Sequence, residues 1–523
     1  MAFVQSLKRS LTCLTTFIVL SFSLMAIGAA MMPHWTGSAP YKDHIRVASA
    51  NTDTSAVGIR PTAEGTYEVH TTYTRIRLPG GTSVDAIIRE PIGAPAHRPA
   101  CLFVHGAGTG KASEVFGDIA PAMASAGIVT LVPSKRLDTY STLRRDYFSM
   151  ARDYEASLNV LRRQPGVDRA KTGIYSESEG TWISEVMAAD DPSIAFMILT
   201  SPPAMAGRHQ MAMAANTYLS LSGAPEGLHR TVDKILSLDF RPFGPNYADF
   251  PAERYLSHLT MPILANYGTD DPSMPIEQGA KLIIGQASKS GNVNVTVRYY
   301  DANHQMRVGA KTSKPGLPLD VNYTKNLEYW VHAVTSESAA SATSSYSGWT
   351  SPQVSGSQPH QRFAAPTRTP SGIVGSLNVL AGTIGMAVLC FALAAVLATA
   401  GVMADSATPT RHRLPSGLAG ILGANAGMMT FTLVAFFIYT TIAVTNALKL
   451  QSNPQILHAG WILLRILAFL DASAASWLAA RLIFARRQPA RAFGACRMAA
   501  TTLTVAGVLV SLLSFAFFGL YNF

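Results

Sequence analysis

The sequence predicts an α/β domain with a mainly parallel sheet, fused to a C-terminal bundle of four membrane-spanning helices. Three observations carry that prediction. Between about residues 64 and 335, apolar runs of strand length alternate with longer stretches of helical periodicity, as in a βαβ chain. From 372 to 523 the chain is almost wholly apolar, with Gly and Ala scattered through it. At 172–182 an apolar run enters a turn of small residues ahead of a helix-like stretch: Thr-Gly-Ile-Tyr-Ser-Glu-Ser-Glu-Gly-Thr-Trp. The 523 residues exceed one ordinary domain, and the mean of 48% hydrophobic and 14% charged residues averages two unlike halves.

Taken in order, residues 71–78 and 84–90 read as an opening hairpin across Pro79-Gly80-Gly81, where glycine supplies turn conformations. Residues 100–104 form a short buried strand, 113–126 a helix and 128–133 a strand. The stretch 146–163 is amphipathic, with Tyr147, Met150, Tyr154, Leu158 and Leu161 at helical spacing. Residues 171–175 deliver the small-residue turn; 194–199, 262–267 and 293–299 complete the sheet, and 321–334 close it with a helix. Residues 202–261 interrupt the pattern and read as a lid, either lining a pocket with residues such as Met205, Met211 and Met213 or holding a small core of its own. Residues 33–63 and 336–371 read as linkers, the second flexible because it is rich in Ser, Ala, Thr, Gln and Pro.

Five spans are expected. Residues 11–30 form an apolar run after Lys8-Arg9, long enough for an anchor, with small-residue sites around Gly28 that also suit a cleaved signal peptide. The others fall at about 373–402, 418–444, 456–480 and 499–521. Arg411 and Arg413 lie in one connecting loop, and Arg481, Arg486, Arg487, Arg491 and Arg497 in or beside another. The positive-inside rule places these loops in the cytoplasm and residues 33–371 outside, agreeing with Lys8 and Arg9. Gly423 and Gly427 form a small-xxx-small pair suited to close helix packing. Arg465 and Asp471 sit inside the fourth span. Asn425 and Asn446 are candidate partners, and Arg465 is near enough to the outer end to snorkel.

The formal charge of +10 does not point to nucleic acid. Residues 372–523 hold nine Lys/Arg against two Asp/Glu, so the excess lies beside the spans, where it sets orientation. Of four cysteines, only Cys101 lies in the α/β region, and no metal-ligand spacing occurs among the 13 histidines. Neither cofactor nor metal is expected. Gly106-Ala-Gly-Thr-Gly-Lys111 lacks the spacing of a phosphate loop.

Ser176-x-Ser178-x-Gly180 has the form of a nucleophile elbow with serine in place of the first glycine. Tyr-Gly-Thr-Asp-Asp-Pro-Ser-Met-Pro follows the strand near 267, and Tyr-Asp-Ala-Asn-His the strand near 300. Serine, acid and histidine, each after a strand, is the chain order of one triad arrangement. At these motifs, residues 64–335 resemble the α/β-hydrolase superfamily, in particular its serine esterases and peptidases. The resemblance implies Ser178 as nucleophile, His304 as general base and Asp271 as the orienting acid, with Asp270 the alternative acid and Ser176 the alternative nucleophile. It also implies that His105-Gly106-Ala107-Gly108 is an oxyanion loop, the N–H groups of Ala107 and Glu179 serving as donors; an ordinary glycine-rich turn is the other reading. The implied activity is a membrane-tethered, extracytoplasmic serine hydrolase acting on a small-molecule or lipid ester. A peptidase, an envelope acyltransferase with the same triad, and a non-catalytic membrane sensor are the competing readings.

Overall fold

The computed structural model describes residues 2–33, 37–108, 110–336, 348–367, 374–407, 417–486 and 494–522. They form two compact units. One contains Met1–Thr36, Tyr218–Gly244 and Arg368–Phe523; the other contains Gly37–Thr217 and Pro245–Thr367. The chain begins with a long helix, α1 (Ala2–Ala30), of the first unit.

The second unit is built on a nine-stranded sheet: β1 (Val69–Arg77), β2 (Ser83–Pro91), β3 (Arg98–Val104), β4 (Val129–Pro133), β5 (Val167–Glu177), β6 (Met197–Thr200), β7 (Ile263–Gly268), β8 (Val295–Tyr300) and β9 (Val354–Gly356). The spatial order is β1-β2-β4-β3-β5-β6-β7-β8-β9. β1 and β2 form the expected antiparallel hairpin, and β2 joins β4 antiparallel; every later pairing is parallel. Hydrophobic pattern explains the placement. β4, β6, β7 and β8 are buried at every residue, as strands covered on both faces must be, whereas edge strand β1 is largely exposed.

Helices α2 (Ile119–Ser125), α3 (Tyr147–Leu161), α4 (Gly180–Asp190), α7 (Ala252–Leu256), α8 (Ile276–Lys289) and α9 (Tyr323–Val334) belong to the same unit. Helix α3 starts where Asp146 caps it, its carboxylate accepting from Ser149 N at 3.1 Å and Ser149 Oγ at 2.6 Å. Its buried face includes Tyr147, Met150, Tyr154, Leu158 and Leu161, the stripe read from the sequence. Each such fully buried aliphatic side chain contributes about 1.5–3 kcal/mol. The helix expected over 113–126 is shorter. A 3₁₀ turn at Ala112–Glu114 is followed by Phe116 at φ +54°, and Asp118 then caps α2 through Ile119 N.

The flexible linker expected over 336–371 is corrected at 348–367. There β9 extends the sheet, and Arg298 on β8 donates to the Pro352 carbonyl at 2.9 Å. A backbone that supplies a ladder partner to an otherwise open edge orders in spite of its polar composition. The segment expected as the first linker, 33–63, is likewise bound in part: His44 Nδ1 lies 2.9 Å from the buried Glu277 carboxylate, and Thr54 donates to the Asn326 carbonyl at 2.6 Å.

The first unit contains five candidate spans: α1, α10 (Leu377–Ala407), α11 (Leu418–Leu448), α12 (Pro454–Arg486) and α13 (Ala495–Phe517). Its described helices thus include the N-terminal one beside the four expected as a bundle. Helix α1 packs through Leu24 and Gly28, and Asn522 donates to the Met25 carbonyl at 3.0 Å. The interval expected as a lid is divided. Helix α5 (Gly207–Ser222) begins in the sheet unit, and α6 (Glu226–Leu236) belongs with the spans. On α6, buried Lys234 donates to the carbonyls of Gly28 at 2.8 Å and Phe517 at 2.9 Å. Among the described residues, a Cβ at Gly423 or Gly427 would meet nothing, so the close packing expected of this pair is not seen there, whereas Gly460 faces Tyr439 and Gly507 faces Phe391. Asp471 is fully buried, but among the described residues no hydrogen bond joins it to Asn425 or Asn446; Asn425 bonds within its own helix. Arg465 lines a groove of about 430 Å³ with Phe17 and Ser473. Arg411, Arg413, Arg487 and Arg491 lie outside the described residues.

Candidate active site

The carboxyl ends of β3, β5, β7 and β8 carry every residue singled out for chemistry, where ligands bind in parallel α/β sheets. β5 ends at Glu177. Ser178 follows at φ +54°, a left-handed conformation unfavourable for a residue with a Cβ, and α4 starts at Gly180. The Ser178 N–H donates to Thr200 O at 2.9 Å, fixing the turn against β6. Gly180 is dictated by contact: a Cβ there would lie 2.6 Å from the carbonyl oxygens of Val104 and His105. Ser176 occupies the position where a glycine was expected. Its fully buried hydroxyl donates to Ile198 O at 3.3 Å and lies 2.8 Å from Ser184 Oγ on α4. The extra oxygen is thereby satisfied, and it faces the core rather than the site.

His304 Nδ1 lies 2.7 Å from Asp271 Oδ2, and the Asp271 side chain is wholly buried. The acid's other oxygen accepts from Ser273 N at 2.7 Å. Asp270 instead pairs with Lys311 at 2.7 Å on the surface. His304 is held in place by Asn303, whose side-chain oxygen accepts from the N–H groups of Gln305 and Arg307, and by Ser201, whose hydroxyl donates to the His304 carbonyl at 2.7 Å. Thr200 and Ser201 therefore fasten the serine turn and the histidine loop through adjacent residues. Among the described residues no hydrogen bond joins Ser178 Oγ to His304, a contact that in unliganded enzymes is often long and tightens with substrate. Nε2 of His304 is likewise without a protein partner there.

His105 of the glycine-rich loop is structural. Its Nε2 bonds to Pro133 O at 2.6 Å, and burial pushes its pKa down to about 3, so the ring is neutral. Ala107 is exposed, and among the described residues neither its N–H nor that of Glu179 has a hydrogen-bond partner. A Cβ on Gly106 would lie 3.3 Å from Ser178 Cβ, which sets the loop against the elbow.

The Glu179 side chain forms a cluster that the sequence does not announce. The carboxylate is 4% exposed; Arg145 Nη1 at 2.6 Å and Tyr147 OH at 2.9 Å donate to one oxygen, Tyr140 OH at 2.8 Å to the other. Lys135 Nζ lies 3.6 Å away and also donates to Gly106 O. Arg145 stacks on Tyr247, its guanidinium 4.1 Å from the ring centre. The one available signal was the basic pair Lys135-Arg136, two residues past the end of the apolar strand β4.

Burial opposes protonation of His304, but the charge and hydrogen bond of Asp271, assisted by Glu177, outweigh it and raise the pKa. A general base must be neutral, so with His304 in that role activity would be lost as pH falls through that raised value. The acidic limb of kcat/KM is expected above the ordinary histidine value of about 6.5. In Asp271→Asn the opposing burial remains and the limb should move down. A wild-type limb below 6.5 would contradict this account. The sign for stability is the reverse: the contribution of the ion pair is complete below about 6.5 and is lost as pH rises through the folded-state value.

The family model described as BAAT / Acyl-CoA thioester hydrolase C terminal matches residues 147–310, which include Ser178, Asp271 and His304. A comparison with curated proteins finds no match. Solved structures similar to the chain include Est1E from Butyrivibrio proteoclasticus, at 17% identity, covering 43% of this chain and 87% of that one with a TM-score of 0.31. An esterase from Pyrococcus furiosus is 15% identical, covering 49% and 90%, with a TM-score of 0.33. Dipeptidyl peptidase 4 from Porphyromonas gingivalis is 18% identical, covering 46% and 33%, with a TM-score of 0.34. The elbow, the order of motifs along a mainly parallel sheet and the family match together identify this chain as carrying a hydrolase domain of the α/β-hydrolase superfamily.

Proposed function

We propose that the protein is a membrane-tethered serine hydrolase that cleaves ester or thioester bonds through an acyl-serine intermediate, with its hydrolase domain outside the cytoplasm. The observation that carries the reading is the buried Asp271–His304 pair at 2.7 Å, beside a serine held at φ +54°. Ser178 Oγ attacks the acyl carbonyl as its proton passes to His304 Nε2. The oxyanion is received by the N–H groups of Ala107 and Glu179. The carbonyl reforms, the bond to the leaving group breaks, and that group takes the proton from His304. Water repeats the sequence on acyl-Ser178, giving the acid and free serine. Labelling of the full-length protein by a fluorophosphonate, abolished in Ser178→Ala, tests the chemistry; equal labelling of the variant refutes it.

Five apolar helices support membrane tethering, and the Arg-rich segments around 403–417 and 481–498 support the orientation. A reporter active only outside the cytoplasm is expected to work when fused near 370, beyond β9, and after 523. It should be silent when fused in 403–417 or 481–498. Because the spans alternate, activity from either arginine-rich segment would invert the orientation and place the hydrolase domain in the cytoplasm.

A further inference from the structure

We infer that Lys135 is a positioning residue for the oxyanion hole, aiming the Ala107 N–H through the peptide that joins Ala107 to Gly106. The inference rests on the serine-hydrolase reading above. Gly106 C=O and Ala107 N–H belong to one planar trans peptide, so the two groups point in opposite directions. Lys135 Nζ donates to that carbonyl, and its side chain is 1% exposed. Holding the oxygen fixes where the N–H points, and a cation on the oxygen polarises the N–H as a donor. The peptide lies against the nucleophile: a Cβ on Gly106 would be 3.2 Å from Glu177 O and 3.3 Å from Ser178 Cβ.

A second link makes the arrangement specific. Lys135 also pairs, at 3.6 Å, with the carboxylate of Glu179, the residue whose own N–H is the other proposed donor. That carboxylate is fixed by Arg145, Tyr140 and Tyr147. One buried ammonium therefore bridges the loop carrying the first donor and the residue carrying the second. With Arg145 the cluster holds two cations against one carboxylate, an excess of positive charge next to the position where the reaction develops an oxyanion. Simple neutralisation of Glu179 would not require a lysine, because Arg145 already pairs with it at 2.6 Å.

The test compares full-length wild type with Lys135→Met, using a p-nitrophenyl ester and an aryl trifluoromethyl ketone that forms a tetrahedral adduct with serine. Misaiming one donor should cost less than the ~10²–10³-fold of deleting it, so kcat is expected to fall by roughly 30-fold with KM changed by less than ~3-fold. Ketone affinity should fall by the factor lost from kcat/KM. A variant with wild-type melting temperature that keeps more than about a third of kcat, or that changes KM instead, overturns the role. If the methionine variant does not fold, wild type decides. Burial pushes the Lys135 pKa down to about 8, and its deprotonation should weaken ketone binding at least ~3-fold between pH 7 and 10, so a flat profile overturns the role. Ser178→Ala separates the two claims. An active Ser178→Ala refutes the serine-hydrolase reading itself, whereas an inactive one beside an unimpaired Lys135→Met refutes the positioning role alone.

Discussion

Ser178→Ala is expected to lower kcat/KM for short acyl p-nitrophenyl esters by at least ~10³-fold, and His304→Ala by a similar factor. In the proposed mechanism the alanine removes the atom that forms the acyl bond while leaving the turn intact, because its φ of +54° is set by the backbone bond to Thr200 and by the contacts of Gly180. The double variant should be scarcely worse than either single one, since nucleophile and base act as a unit. The control is Ser176→Ala. Its hydroxyl is committed to Ile198 O and Ser184, so its loss should leave kcat within a few-fold while lowering stability by about 1 kcal/mol. Retention of more than a tenth of wild-type activity in Ser178→Ala would remove the serine assignment.

The second large effect is expected at the acid. Asp271→Asn should cost on the order of 10³–10⁴ in kcat, because the amide reverses or loses the bond that orients His304 and no longer stabilises the imidazolium. Asp270→Asn should stay within a few-fold of wild type. Its carboxylate reaches Lys311 at the surface, and exposed pairs contribute at most about 1 kcal/mol to stability. Steady-state kinetics on both variants, with melting curves to confirm folding, separates them. Equal losses would mean that His304 is oriented by some other group.

Period and turn chemistry were legible along the chain. The alternation over 64–335, the hairpin at Gly80-Gly81, the stripe on α3 and the five apolar runs all correspond to elements of the structure. These are local properties: a buried parallel strand must be apolar throughout, and a turn at positive φ favours glycine. The elbow was legible for the same reason, since strand, small turn and helix are contiguous. Two features depended on residues far apart in sequence. β9 is indistinguishable from a linker until its neighbour β8 offers it a ladder. Gly423 and Gly427 satisfy a packing motif, yet among the described residues a Cβ at either would touch nothing, whereas Gly460 and Gly507, outside the motif, face Tyr439 and Phe391.

The sequence by itself therefore determined the class of fold, the strand–turn–helix unit that carries Ser178 and the two loops that carry the proposed acid and base, because spacing along the chain encodes them. It favoured Asp271 with Asp270 as the alternative acid, and did not mark Lys135 at all. Only the tertiary structure decided those. Adjacent carboxylates are equivalent until the turn directs one at a histidine 33 residues further along the chain. A lysine after a strand is an ordinary surface residue until burial brings it to a peptide carbonyl 29 residues away and to a carboxylate 44 residues on. Charge pairing in the interior is set by three-dimensional proximity and desolvation, and neither has a period that a linear sequence can display.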